Sequence, residues 1–106
     1  MESARNEYDN IAERLVLQHP DVSLGKMMSS PGIKCNGKVM AFFGKDGMGF
    51  RLGADFDFAS VDIRNPQPLS PFKTKPPLKG WYIVAADEQD KWHVLAEHAL
   101  AFTRSL

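Results

Sequence analysis

Apolar residues recur along the chain with two different periods, and the changeovers between them mark the elements. Tyr8, Ile11, Ala12, Leu15 and Val16 fall at the i, i+3, i+4, i+7, i+8 spacing of one helix face. With Ser3 as N-cap and His19-Pro20 as the stop, where proline cannot donate the next helical hydrogen bond, the spacing predicts a first helix over 4–18. Asp21 to Gly25 reads as a connecting loop. From Lys26 to Gly53 the period drops to two, and three apolar runs are separated by Asn36-Gly37 and Asp46-Gly47, pairs that readily supply the positive φ angles of tight turns. This stretch predicts a three-stranded antiparallel meander.

In the third of these strands Met48, Phe50 and Leu52 alternate with Gly49, Arg51 and Gly53, the pattern of a strand with one buried face. In the second, Val39 to Phe43, both faces are apolar. A two-residue turn at Asn36-Gly37 pairs Cys35 with Lys38, which places Ile33 and Cys35 with Met40 and Phe42, and Lys34 with Val39, Ala41 and Phe43. Two explanations fit: a central strand buried on both sides, or a sheet face left partly exposed.

Residues 54–64 carry both signals. Phe56, Phe58 and Ser60 alternate as in a strand, while Phe58, Val61 and Asp62 fit one side of a short helix, the preferred reading. Asn65 to Pro71 is rich in proline and reads as irregular, and Phe72 to Thr74 as a short edge strand guarded by prolines and lysines. Trp81 to Ala86 reads as the last strand. Asp87 as N-cap then opens a second long helix whose stripe is Trp92, Leu95, Ala96, Ala99, Phe102, Thr103 and Leu106. The expectation is an α+β fold in α-β-β-β-α-β-β-α order, an antiparallel sheet with the two long terminal helices packed on it, forming a single domain over 1–106.

Charge changes this picture by region rather than in total. Thirteen basic and thirteen acidic side chains cancel over the 106 residues, which argues against the global field of a dedicated nucleic-acid binder. Both ends are acidic. Between them Lys26, Lys34, Lys38, Lys45, Arg51, Arg64, Lys73, Lys75 and Lys79 face only Asp46, Asp55, Asp57 and Asp62, so the centre is basic. A single cysteine, Cys35, without zinc-type Cys/His spacing favours a reducing compartment. Lacking a secretion signal or an apolar run long enough to span a bilayer, the chain reads as cytoplasmic, with no membrane partner.

The candidate chemistry is sparse. Gly32 to Lys38 matches the first seven positions of a phosphate-binding loop, yet Val39 cannot supply the hydroxyl that ligates magnesium and no helix begins there, so the motif reads as a hairpin turn. Gly47-Met-Gly49 with Gly53 enters a strand where a dinucleotide fingerprint needs a helix. Cys35 lies near Lys34 and Lys38 but has no acidic orienting residue or nucleophile signature, and reads as a structural thiol. His93 and His98, five residues apart on a helix, point away from each other and cannot share a metal; His93 with Glu97 reads as a surface pair. No catalytic set, metal site or cofactor is expected. Met27, Met28, Met40 and Met48 read as gap-filling core, with an adaptable contact surface as the alternative. The run Lys73-Thr-Lys75-Pro-Pro-Leu-Lys79 beside Trp81 and Tyr82 reads as a solvated edge, with a polyanion groove as the alternative.

Taken together, Lys26-Met27-Met28, Pro31-Gly32-Ile33, Asn36-Gly37-Lys38-Val39-Met40-Ala41-Phe42, Asp46-Gly47 and Phe50-Arg51-Leu52 resemble the N-terminal domain of the TfoX/Sxy competence regulators and their stand-alone relatives. Pro71-Phe72, Pro77-Leu78-Lys79-Gly80-Trp81-Tyr82-Ile83-Val84, Trp92 and Ala99-Leu100-Ala101-Phe102 follow in that family's order, so the likeness covers 8–106. It implies the same element order, favours the helix at 54–64, and implies no enzymatic activity. The expectation is therefore a non-enzymatic regulatory or protein-interaction module with a protein partner or a second copy of itself. The alternative is a nucleic-acid-associated, transcription- or competence-related protein acting through its basic centre. The candidate interaction surface comprises Met28, Lys38, Met40, Phe42, Lys73, Lys75, Lys79 and Trp81.

Overall fold

The apolar stripe of the N-terminal segment folds as α1 (Glu2–Gln18), and the alternating region that follows it as β1 (Val22–Met27), β2 (Ser30–Cys35), β3 (Lys38–Gly44) and β4 (Gly47–Arg51). After an irregular stretch come β5 (Gln67–Pro68), β6 (Trp81–Val84), a 3-10 segment Ala86–Lys91 and α2 (Trp92–Arg104). The computed structural model describes residues 2–27, 29–69 and 78–106. The six strands form one sheet in the order β1-β2-β3-β4-β6-β5, every neighbouring pair antiparallel. The α+β class and the two terminal helices are those the sequence predicts.

Several details differ from expectation, each for a physical reason. The segment read as a loop at Asp21–Gly25 is mostly strand β1, joined to β2 through a turn in which Ser29 takes φ 77°. No glycine or asparagine advertises that turn. Ser3 lies inside α1 rather than capping it, and the expected cap Asp87 lies inside the 3-10 segment, whose preceding residue is Ala85. The helix expected at 54–64 is reduced to one 3-10 turn, Phe58–Val61. It is opened by the Asp57 carboxylate accepting from the Ala59 N–H at 3.0 Å and closed by Asp62 at φ 56°. The edge strand expected at 72–74 lies outside the described residues; the edge they show is β5.

Hairpin register decides which side chains meet. Asn36 and Gly37, at φ 52° and 80°, make the two-residue β2–β3 turn, the geometry that matches strand twist. Cys35 then pairs with Lys38 and Lys34 with Val39, but Ile33 pairs with Ala41. One extra residue, Met40, has entered β3 as a bulge, and beyond a bulge the side chains change sides. Met40, Ala41 and Phe43 therefore point to one face and Val39 and Phe42 to the other, correcting the grouping of Met40 with Phe42.

Both helices lie on the first of these faces. Tyr8, Ile11, Ala12 and Leu15 of α1 and Trp92, Leu95, Ala96 and Ala99 of α2 close over Ile33, Cys35, Met40, Met48, Phe50 and Val84. The Trp92 indole N–H donates to the Val84 carbonyl at 3.1 Å, so the buried indole donor is paired where α2 seats on the sheet. The chain 56–64 packs at its rim, where Phe56, Phe58 and Tyr82 stack edge to face at 4.9 and 4.8 Å.

Candidate interaction surface

The opposite face of the sheet carries no buried helix residue among those described. Its apolar cluster is Phe42, Leu69 and Trp81, with Met27, Val39 and Ile83 packed against them and partly exposed. Directly opposed residues share a face, so one row runs across all six strands as Gly25, Gly32, Phe42, Gly49, Ile83 and Gln67. Gly49 is what lets Phe42 lie flat: a Cβ there would sit 2.1 Å from the ring. The Phe42 ring meets Trp81 at 5.9 Å between centroids, and the two are only 5% exposed. They form the floor of the face.

The next row adds charge. Ser23, Lys34 and Val39 stand in register on β1, β2 and β3, while Arg51 pairs with Trp81 across β4 and β6. The Arg51 guanidinium lies 5.1 Å from the Trp81 ring centroid, a cation–π contact. Burial lowers its pKa from the ordinary arginine value, but arginine stays charged in proteins. Toward the β3–β4 turn the face opens into a cleft of about 450 Å³ bordered by Phe42, Lys45, Gln67, Leu69 and Ile83.

The eight residues singled out from the sequence do not come together. Met28, Lys73 and Lys75 lie outside the described residues. Met40 has no exposed surface and belongs to the helix-side core, which excludes it as a contact residue in the folded protein. Lys38 is exposed but pairs with Cys35 on the helix side, and Lys79 is exposed in the turn before β6. Only Phe42 and Trp81 belong to the helix-free face, as floor rather than as contact points. The accessible residues of this face among those described include Met27, which the methionine group contains, and Lys34, Val39, Arg51 and Ile83, which the eight do not include. Period-two alternation gives Lys34 with Val39 directly; Arg51 and Ile83 needed the β4–β6 pairing, which no local signal reveals.

The remaining titratable groups have structural surroundings. Cys35 is fully buried and its thiol donates to the Asp21 carboxylate at 3.4 Å. Burial first, and then that carboxylate, raise the thiol above its ordinary range, while Arg104 acts in the opposite sense; a reactive thiolate needs the reverse. Asp21 is held far below the usual carboxylate range by two Arg104 hydrogen bonds at 2.8 and 2.9 Å, with Cys35 adding to them. Arg104 also reaches His19 Nδ1 at 3.0 Å. Glu88, 4% exposed, accepts from the Arg64 backbone N–H at 3.0 Å, which lowers its pKa and ties the chain after the 3-10 turn to the segment leading into α2. Lys91 makes a parallel tie, donating to the Asp62 carbonyl at 2.7 Å. His98 stacks on Phe56 at 5.2 Å, and His93 is exposed. Among the described residues no three His, Cys, Asp or Glu side chains converge as a metal site, and no helix is long and apolar enough to cross a membrane.

No family model matches the chain, and no characterised protein or solved structure does either.

Proposed function

We propose that the protein is a non-enzymatic interaction module of the TfoX N-terminal-domain type, acting in the cytoplasm and engaging a protein partner through the helix-free sheet face. One observation carries the reading: among the described residues, a six-stranded sheet whose helices all lie on one side presents on the other a partly exposed apolar surface, Met27, Val39 and Ile83, bordered by Lys34 and Arg51. A partly apolar, charge-rimmed face of this kind is what protein contact sites use. The two cations favour a partner with acidic groups around an apolar patch. The likeness to the TfoX family supports the same reading, and the buried, free Cys35 supports a reducing compartment.

The test is site-specific photo-crosslinking in cells, with the photoreactive residue at Val39 on this face or at Glu97 on the exposed side of α2. The expected result is a discrete adduct from Val39, lost when Ile83 is changed to glutamate, and none from Glu97. Equal adducts from both positions, or none from either, would count against the assignment.

A second reading, nucleic-acid association, has its own observation. Among the described residues the ion pairs are Arg5–Asp9, Arg64–Glu88, Lys91–Asp62 and Arg104–Asp21, so Lys26, Lys34, Lys38, Lys45, Arg51 and Lys79 have no carboxylate partner. Binding of a fluorescent single-stranded oligonucleotide that weakens steeply with salt, and is lost on changing Lys34 and Arg51 to glutamate, is what this reading requires. A flat salt response removes it.

A further inference from the structure

Among the described residues the two edges of the sheet are built differently. At one, β5 is two residues long and contains Pro68, the usual means of preventing edge-to-edge pairing. At the other, β1 is six residues long and has no proline, and Lys26 is its only charge.

Which backbone groups of β1 face outward follows from its partner strand. Asn36 N–H donates to Asp21 O at 2.8 Å, so the pair 21/36 is hydrogen-bonded, and in an antiparallel ladder such pairs alternate. Ser23/Lys34, Gly25/Gly32 and Met27/Ser30 are then the bonded pairs, while Val22/Cys35, Leu24/Ile33 and Lys26/Pro31 are the non-bonded ones. Pro31, with no N–H to give, occupies one of the places where none is needed. The backbone groups of Val22, Leu24 and Lys26 accordingly point away from the sheet. Of these the Val22 N–H is already donated to His19 O at 3.1 Å. Among the described residues, the groups on this edge without a partner are the N–H and C=O of Leu24 and Lys26 and the C=O of Val22.

That set is self-complementary. We infer that β1 is the docking edge for a second copy of this chain, the two β1 strands pairing antiparallel about a two-fold axis at Leu24. In this register each Leu24 N–H meets the other Leu24 C=O, and each Lys26 N–H meets the other Val22 C=O. Every free donor thus finds an acceptor, and only the Lys26 C=O, whose donor would be the Val22 N–H already given to His19, is left to solvent. Directly opposed residues share a face, so the two Leu24 side chains meet on the helix side. There Leu24 is 62% exposed beside Ala12 and Glu13 of α1, and Leu17, one turn further along that helix, is 86% exposed. A two-fold pairing removes this exposed leucine surface from water and joins the two sheets into one. An isologous contact closes on itself, so a dimer forms rather than a filament. This inference stands apart from the helix-free face, which remains open in such a dimer.

Sedimentation velocity over a hundredfold range of concentration tests it together with two variants. The expected result is a reversible monomer–dimer equilibrium. Leu24→Pro, which removes an outward N–H and leaves every β1–β2 hydrogen bond in place, is expected to weaken it about tenfold or more while the circular dichroism stays native. Should that variant not fold, Leu24→Cys gives the answer, since bonded antiparallel partners place their Cα atoms within disulfide range. It is expected to form a linked dimer under mild oxidation at least about tenfold faster than Lys34→Cys, with buried Cys35 inert. A monomer at every concentration overturns the inference. So does a dimer unchanged by Leu24→Pro in a folded protein, or cross-linking at equal rates from positions 24 and 34. A dimer that survives Leu24→Pro but is lost on Val39→Glu instead places self-association on the helix-free face.

Discussion

The two faces of the sheet use the same residue classes to opposite ends. On the helix side large side chains fill the space completely: Trp92, Phe50, Met40, Met48, Leu95 and Ile33 are all fully buried. On the other side aromatic rings lie down against the sheet, Phe42 on Gly49 and the Arg51 guanidinium over Trp81, and leave Val39, Met27 and Ile83 at the surface. One face secures the fold by depth. The other covers itself only thinly, so that its outermost atoms stay partly exposed, which is why burial rather than hydrophobicity separates core from open face here.

The largest test of that contrast is truncation. Phe50→Ala on the helix side should cost about 3–5 kcal/mol, whereas Ile83→Ala on the other should cost roughly 1 kcal/mol. Urea unfolding of both variants checks this, and equal losses would break the distinction between the faces.

Gly49→Ala tests the thin covering itself. The new methyl group displaces the Phe42 ring, and overpacking of this kind costs about 1–3 kcal/mol. Much of the loss should return in the double variant Gly49→Ala/Phe42→Leu, a non-additivity that a double-mutant cycle measures directly. If the two effects simply add, the ring does not depend on the glycine.

Acid sharpens the comparison further, because the described buried or bidentate carboxylates lie on the helix side and at its margin. Asp21 and Glu88 have folded pKa values below their unfolded ones. Their contribution is therefore complete above the unfolded carboxylate value of about 4 and fades as the pH falls through the folded values. Urea midpoints that drop between about pH 6 and about pH 3, with a smaller drop in Asp21→Asn, are the expected outcome.

The smallest effect belongs to Arg51→Lys, which keeps the charge but loses the planar stack on Trp81. About 0.5–1 kcal/mol is expected, seen most clearly as a change in tryptophan fluorescence.

Much of the fold is legible in the residues because their local chemistry agrees with their tertiary roles. The stripe Tyr8–Leu15, the turn at Asn36-Gly37 and the alternation Met48–Leu52 each state their own structure. Asp46-Gly47 marks the next turn less literally: Lys45 and Asp46 form the connection, and Gly47, at φ 134°, opens β4. What escapes is set by partners distant in sequence. β1 pairs with β2 through a turn that uses a serine at positive φ, so neither the glycine nor the asparagine that such a φ favours marks it. The bulge at Met40 leaves no composition trace, yet it decides which side of the sheet receives Phe42. Glu88 reads as one more surface acid until the Arg64 backbone, 24 residues earlier, supplies its hydrogen bond. The make-up of the helix-free face is hidden for the same reason. Residue type alone groups lysines and aromatics, whereas strand order decides that Lys34, Val39, Arg51 and Ile83 share one face.

The Asp21–Arg104 pair joins residues 83 apart in sequence, fastening the entrance of β1 to the last turn of α2. On the ribosome all six strands emerge before α2 does, so Phe50, Met48 and Val84 have no cover from it while the sheet is being made. The helix side is therefore completed only after the described strands have emerged, and the sheet not yet covered by α2 is the species a chaperone would meet.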